Sequence, residues 1–133
     1  MKNIFYIVSL SFFTLTACNG VAQKENSTEQ TTTSSYEVLS PAEFKTALEK
    51  EEKPQLIDVR TAGEFSDGTI AGAVNHDFLN GSFQKAIENL DKNKPVYVFC
   101  AVGGRSGKAS TLLQEKGFTQ IIDLKGGYNG WPK

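Results

Sequence analysis

The densest concentration of chemistry in the sequence is a run of seven residues, Cys100-Ala101-Val102-Gly103-Gly104-Arg105-Ser106. The cysteine closes Val96-Tyr97-Val98-Phe99, the most strand-like run in the chain, and precedes a stretch of helical periodicity beginning near Ser106. A thiol at such a junction faces a helix N-terminus, whose unpaired amides carry roughly half a positive charge. That setting lowers a cysteine pKa from ~8.5 to between about 3.5 and 7.5, so a thiolate forms without a neighbouring base. Gly103 and Gly104 can take positive φ values and let successive N–H groups converge on one anion, while Arg105 adds a charge and a forked donor. The chemistry expected is nucleophilic attack by Cys100, with an anion cradled by the backbone of residues 101 to 104. Ala101 and Val102 are uncharged, which leaves Arg105 and Lys108 as the cations expected near the pocket.

The other candidates are weaker. Asp58 and Arg60 stand at the end of an apolar run and either line the pocket or form a partly buried hydrogen-bonded pair, of which the structural role is preferred. Trp131 either closes one side of the pocket or belongs to the core. His76 is the only histidine, and a Cys-His protease pair is conceivable, but a loop residue with no catalytic task is the preferred reading. The two cysteines, Cys18 and Cys100, are too few and too unlike in context for a disulfide framework or a metal cluster. No metal is expected.

The elements that must position Cys100 alternate between helix and strand. Ser40-Pro41-Ala42-Glu43 is a capping box with proline at the first helical position, predicting a helix from 41 to about 51. Gln55 to Val59 reads as a buried strand, Thr61 with Glu64 as a second capping signature, and Ala73-Val74-Asn75 as a short strand. Ser82 is expected to cap a helix through Phe83, Ala86, Ile87 and Leu90. Ala109, Leu112 and Leu113 share a face of the next helix, Gly117 ends it, and Gln120 to Leu124 supplies another strand. Strands that are apolar throughout and separated by helices imply a parallel sheet covered on both faces. The fold class expected is α/β, with ligands beyond the carboxyl ends of the strands, where Cys100 falls.

The first 35 residues read as an address. Lys2 precedes an apolar run from Ile4 to Ala17 that is too short to span a bilayer, which takes ~20 apolar residues. Leu15-Thr16-Ala17-Cys18 resembles the bacterial lipobox, and the resemblance implies a signal peptide over 1–17, lipid on Cys18, and a domain anchored in a bacterial envelope facing the periplasm or exterior. Asn19 follows in place of the aspartate that favours inner-membrane retention in several bacteria, so the final membrane stays open. Residues 18–35 are rich in Ser and Thr and read as a flexible tether with a span of ~20 to 25 Å. One domain over 36–133 remains. Fourteen Lys plus Arg against fifteen Asp plus Glu give a net charge of -1, which excludes a broad basic field for nucleic acid.

Over 36–133 the sequence resembles the rhodanese domains. The match is carried by Leu56-Ile57-Asp58-Val59-Arg60, Glu64-Phe65, Gly68 through Asn75, the Cys100 loop, and Gly126-Gly127 through Trp131. The resemblance implies a mostly parallel, roughly five-stranded sheet flanked by helices on both faces. It further implies a sulfurtransferase in which Cys100 takes the outer sulfur of a donor such as thiosulfate, holds it as a persulfide on the amides of Ala101, Val102, Gly103, Gly104 and Arg105, and yields it to a thiol or cyanide. No cofactor is implied, a monomer is expected, and an acceptor protein is left open. Thr69 stands where the family often has a histidine of structural character. Phosphatases of the dual-specificity cell-cycle type share this fold but have five residues between cysteine and arginine; the four found here enclose a smaller volume, suited to sulfur. The rival from another class is a non-catalytic binding module of the same fold.

Overall fold

The computed structural model describes residues 33–133. The expected signal peptide, the lipidated Cys18 and most of the tether lie outside the described residues. Five parallel strands form one sheet in the order β1-β5-β4-β2-β3, where β1 is Ser35–Leu39, β2 Gln55–Asp58, β3 Val74–Asn75, β4 Val96–Phe99 and β5 Gln120–Leu124. The connecting helices are α1 Pro41–Leu48, α2 Ala62–Ser66, α3 Ser82–Ala86 and α4 Gly104–Glu115, with 3₁₀ turns at Ile87–Asn89 and Tyr128–Gly130. The α/β class and the parallel sheet agree with the sequence reading.

Successive residues of a strand point to opposite faces, so each central strand feeds two cores. Val96 and Val98 of β4 join Ile57, Ile121, Phe83, Ala109 and Leu113 on the face covered by α3 and α4. Tyr97 and Phe99 join Leu56, Ile122, Leu124 and Phe44 on the face covered by α1. Cys100 belongs to the α4 face. This division decides which residues can reach the thiol.

The two capping boxes form as read. Ser40 Oγ accepts from the Glu43 amide while Glu43 Oε2 accepts from the Ser40 amide at 3.0 Å, and Thr61 with Glu64 repeats the arrangement, also at 3.0 Å. Three local expectations are corrected. Helix α1 stops at Leu48, short of residue 51, because Glu49 takes the cap and its chain turns off through Lys50. Ser82 does not cap α3: Gly81, at φ 81°, occupies the cap and the Ser82 hydroxyl bonds back to the Asp77 carbonyl. Ser35, assigned to the tether, is the first residue of β1, an edge strand that the sequence reading did not place.

Candidate active site

The site is built at the carboxyl end of β4. Phe99 ends the strand, Cys100 follows, and the chain passes through Ala101 and Val102 to Gly103, whose φ of 104° and ψ of -17° only glycine adopts without strain. Helix α4 therefore begins at Gly104, two residues earlier than the periodicity suggested, and Gly104 itself is helical and takes no positive φ. It runs for 12 residues with its N-terminal end beside the cysteine loop. The Gly103 amide donates to Cys100 Sγ at 3.0 Å, and the Ser106 hydroxyl lies 3.6 Å from the same sulfur.

Cys100 is only 1% exposed. Burial pushes the thiol pKa up, but the amide and hydroxyl of Ser106 and the amides of Val102 and Gly103 together outweigh it and leave the thiol below its ordinary value. The amides that stabilise the sulfur are thus those of 102, 103 and 106. Ser106 was not among the residues singled out from sequence, though its place three residues into the helix, where N-terminal amides are unpaired, is a signal that could have found it.

Arg105 does not point its fork at the sulfur. Its two terminal nitrogens each donate to a different oxygen of Glu64, both at 2.7 Å, a forked pair that joins the start of α4 to α2. The Arg105 bonds hold the Glu64 pKa at about 2. Arg105 in turn is kept charged mainly by Glu64, with a smaller contribution from Cys100. Its charge still reaches the thiolate, but a carboxylate stands against it, so the local field is weaker than an isolated arginine would make it. Sequence showed Glu64 as a capping residue and as part of the family resemblance; nothing in the chain announces a partner 41 positions away.

Asp58 and Arg60 form a fully buried pair. Arg60 Nη2 donates to Asp58 Oδ2 at 2.6 Å and to the Gly68 carbonyl at 2.7 Å, its Nε reaches Asp58 at 3.0 Å, and its guanidinium lies 4.1 Å above the Tyr128 ring. Thr69, at the position where a histidine is common in the family, donates to Asp58 Oδ2 at 2.9 Å. Asp58 alternates in phase with Leu56, on the α1 side of the sheet, and Arg60 packs on Phe99 and Tyr128 of that side. Trp131 also lies there, edge to face with Phe44 at 6.0 Å. None of the three closes the pocket around Cys100, whose side chain belongs to the opposite face. His76 is half-buried in the loop after β3, and burial lowers its pKa; the partners of Sγ are Gly103 and Ser106. Lys108 is exposed. Among the described residues no cluster of His, Cys, Asp and Glu could hold a metal ion.

The loop is clamped from its other side by Gly127. The Tyr128 amide donates to the Cys100 carbonyl at 2.7 Å and the Asn129 amide to the Ala101 carbonyl at 3.0 Å. The Gly126-Gly127 pair recognised in the sequence thus fixes the main chain of the cysteine loop rather than a ligand.

Comparison with known proteins agrees with this architecture. A family model described as Rhodanese-like domain matches residues 40–133. An uncharacterized protein of Bacillus subtilis, YqhL, is 39% identical over 93 residues, covering 70% of each chain. The chloroplastic thiosulfate sulfurtransferase 16 of Arabidopsis thaliana is 38% identical over 87 residues, covering 58% of this chain and 72% of that one. The crystal structure of a rhodanese-like domain protein from Staphylococcus aureus superposes with a TM-score of 0.65 at 26% identity, over 74% of this chain and 93% of that one. With its parallel sheet, its cysteine at the carboxyl end of β4 and a family match spanning most of its length, the chain belongs to the rhodanese-like domain family.

Proposed function

We propose that this domain is a sulfurtransferase that carries a sulfane sulfur as a persulfide on Cys100. The observation that carries the reading is the Gly103 amide 3.0 Å from Sγ at the start of α4, with the thiol pKa held below its ordinary value despite burial. In the first half-reaction the Cys100 thiolate attacks the outer sulfur of a donor. A new S–S bond forms, the donor's S–S bond breaks, and sulfite (from thiosulfate) or a thiolate (from a persulfide or polysulfide) leaves with the electron pair. In the second, an acceptor thiolate or cyanide attacks the outer sulfur and the Cys100 thiolate departs, so no net oxidant is consumed. The outer sulfur stands about 2 Å beyond Sγ, within the loop of residues 101 to 105, whose amides are the anion's binding groups in this reading. The only other cysteine in the sequence is Cys18, read as lipidated, so an external acceptor completes each cycle.

A persulfide or polysulfide is the better donor in this reading. Thiosulfate is a dianion, Ala101 and Val102 offer it no charge, and Glu64 stands against the one arginine beside the loop. A clear kcat/KM advantage for thiosulfate over glutathione persulfide would overturn this preference. The domain acts at a bacterial envelope membrane through lipid on Cys18, a placement resting on the Leu15-Thr16-Ala17-Cys18 motif.

Intact-mass analysis of the purified protein after exposure to polysulfide or thiosulfate tests the central claim. The wild type should gain one sulfur atom that Cys100→Ser does not. A pure binding module gains none in either form, and that result would end the sulfurtransferase reading.

A further inference from the structure

Three residues stand abreast at the carboxyl end of the sheet. The Val59 amide donates to the Phe99 carbonyl at 3.0 Å, and the His76 amide donates to the Asp58 carbonyl at 3.0 Å. In a parallel ladder these two bonds pair Val59 with Cys100 on one side and with His76 on the other. They carry the registers Asp58 to Phe99 and Asp58 to Asn75 one residue past the strands. Cys100 and Val59 belong to the core on the α4 face. Alternation from Val74, which lies beside Ile57 of that core, puts His76 on the same face. The sequence alone preferred no task for this histidine, but the ladder sets it in line with the thiol.

Two strand spacings leave the His76 and Cys100 main chains roughly 10 Å apart. The partners of Sγ are Gly103 and Ser106, so the histidine does not serve the thiol itself. The gap instead matches the room a second sulfur needs. The outer sulfur of a persulfide stands about 2 Å beyond Sγ, an attacking thiol about 3–3.5 Å beyond that, and a base within reach of its proton about 3 Å farther. Together these span about 8–9 Å. Val59 is fully buried, so an acceptor enters over the carboxyl ends of the strands, where His76 is half-buried.

The ring is ready to accept a proton. Burial is the only influence that moves its pKa, and it lowers it, so the imidazole is neutral at pH 7 with one nitrogen open as an acceptor. The other elements packed on this face add no free charge beside it. Helix α3 contributes the apolar Phe83 and Ile87, α4 contributes Ser106, and Arg105 is turned to Glu64 of α2. Asp77, next in the chain, has its Oδ1 taken by the Leu79 amide at 2.7 Å, while Lys85 and Lys108 are exposed.

We propose that His76 is the general base of the second half-reaction, taking the proton from an acceptor thiol as that thiol attacks the sulfur held on Cys100. The proposal rests on Cys100 being the sulfur carrier. The acceptor's S–H proton passes to the imidazole while its sulfur bonds to the outer sulfur. The bond from the outer sulfur to Sγ breaks, and its electron pair stays on Sγ as the thiolate. The acceptor leaves as a persulfide, the imidazolium returns its proton to solvent, and no oxidant or reductant enters. The acceptor class served in this way is an alkyl thiol, protonated at neutral pH; a thiol that arrives ionised gains nothing from the histidine.

The test loads the full chain in detergent with sulfur from polysulfide and follows its loss to two acceptors by intact mass. Glutathione is mostly protonated at pH 7, and para-nitrothiophenol is ionised there. A thiol of pKa about 8.5 is about 3% ionised at pH 7, which caps the benefit of a base at about thirtyfold. His76→Asn should therefore lose about tenfold in rate toward glutathione and keep its rate toward para-nitrothiophenol. Dividing the first rate by the second at each pH removes the titration of the bound sulfur. Between pH 7 and 8 that ratio should climb about eightfold in the variant, tracking the thiolate, and less than about twofold in the wild type. Equal losses toward both acceptors would make His76 a structural residue, and no loss toward glutathione would make it a bystander; either overturns the proposal. Should His76→Asn fail to fold, the wild-type ratio decides alone, since a ratio that climbs with the thiolate leaves no work for a base. A wild type that takes no sulfur from polysulfide removes the carrier role instead, and this is seen before any acceptor is added.

Discussion

Gly126 and Gly127 look alike in sequence, yet substituting each by alanine should have sharply different consequences. Both have positive φ, 74° and 61°, so an added Cβ strains the backbone at either. At Gly126 the Cβ meets nothing within 4 Å, and the cost is the backbone penalty alone, about 1 kcal/mol. At Gly127 the ψ of -161° places the residue in a region reserved for glycine, costing about 1–3 kcal/mol. Its Cβ would also lie 2.6 Å from the carbonyl carbon and oxygen of Ala101 and closer still to the Cys100 carbonyl. The two loops must part, weakening the Tyr128-to-Cys100 and Asn129-to-Ala101 hydrogen bonds, each worth about 0.5–1.5 kcal/mol. The total is about 4 kcal/mol, a large share of the 5–15 kcal/mol that holds a typical domain together. Because the Ala101 carbonyl shares its peptide with the Val102 amide, one of the donors to the sulfur, and the Gly103 amide follows directly, the thiol should also lose its depressed pKa, slowing alkylation near neutral pH. Urea denaturation and alkylation rates measured side by side on the two variants check this. Equal losses of stability, or a Gly127→Ala protein with an unaltered alkylation rate, would refute the idea that this close approach sets the cysteine loop.

The Glu64–Arg105 pair and the Asp58–Arg60 pair should respond differently to disruption. The folded Glu64 pKa of about 2 lies below the ordinary value of 4.5, so the pair's stabilisation is complete above pH 4.5 and is lost as pH falls toward 2. With the Glu64 side chain 34% exposed, solvent screening leaves about 1 kcal/mol of it. Glu64→Gln should lose that amount at pH 7, flatten the fall in stability between pH 4.5 and 2, and, by freeing Arg105, raise kcat/KM for thiosulfate about fivefold; a fall in thiosulfate turnover would mean that Glu64 serves to hold Arg105 in place. Asp58→Ala strands a guanidinium that is 4% exposed and should cost about 3–5 kcal/mol in urea denaturation while leaving the Cys100 alkylation profile unmoved; a shifted profile would return Asp58 to the sulfur pocket.

What could be read from sequence follows the range of the interactions involved. The capping boxes at Ser40 and Thr61 are legible because their partners sit three residues apart, and β2, β4 and β5 because strands buried on both faces carry adjacent apolar residues, Leu56-Ile57, Val96 to Phe99 and Ile121-Ile122. Strand β1 escaped because it pairs on one side only. Its residues are exposed up to Leu39, so Tyr36-Glu37-Val38 carries no continuous apolar signal. At residues 81 and 82, a glycine in the left-handed conformation displaced the serine expected at the cap, a choice set by Asp77 and invisible in local composition. The cysteine loop was legible as a strand, a thiol, glycines and a helix in order. Its fine structure was not, because the Glu64–Arg105 pair and the Ser106 hydroxyl beside Cys100 Sγ are contacts made only once separate elements come together.

The sheet separates the two kinds of charge in this molecule. On the α1 face Asp58 and Arg60 neutralise each other in a buried pair joined by Thr69 and Gly68, an arrangement that fixes the chain after β2 and leaves no charge over for a substrate. On the α4 face no cation among the described residues pairs directly with Cys100: amides and one hydroxyl stabilise its anion, and Arg105 is held off by Glu64. A cation bound directly to the sulfur would make a stable thiolate and also hold a persulfide too tightly to surrender it. Neutral donors, each worth about 1.5–3 kcal/mol toward a charged acceptor, stabilise the anion in small increments against the opposing cost of burial. That balance suits a sulfur that, in the proposed cycle, must be both captured and released.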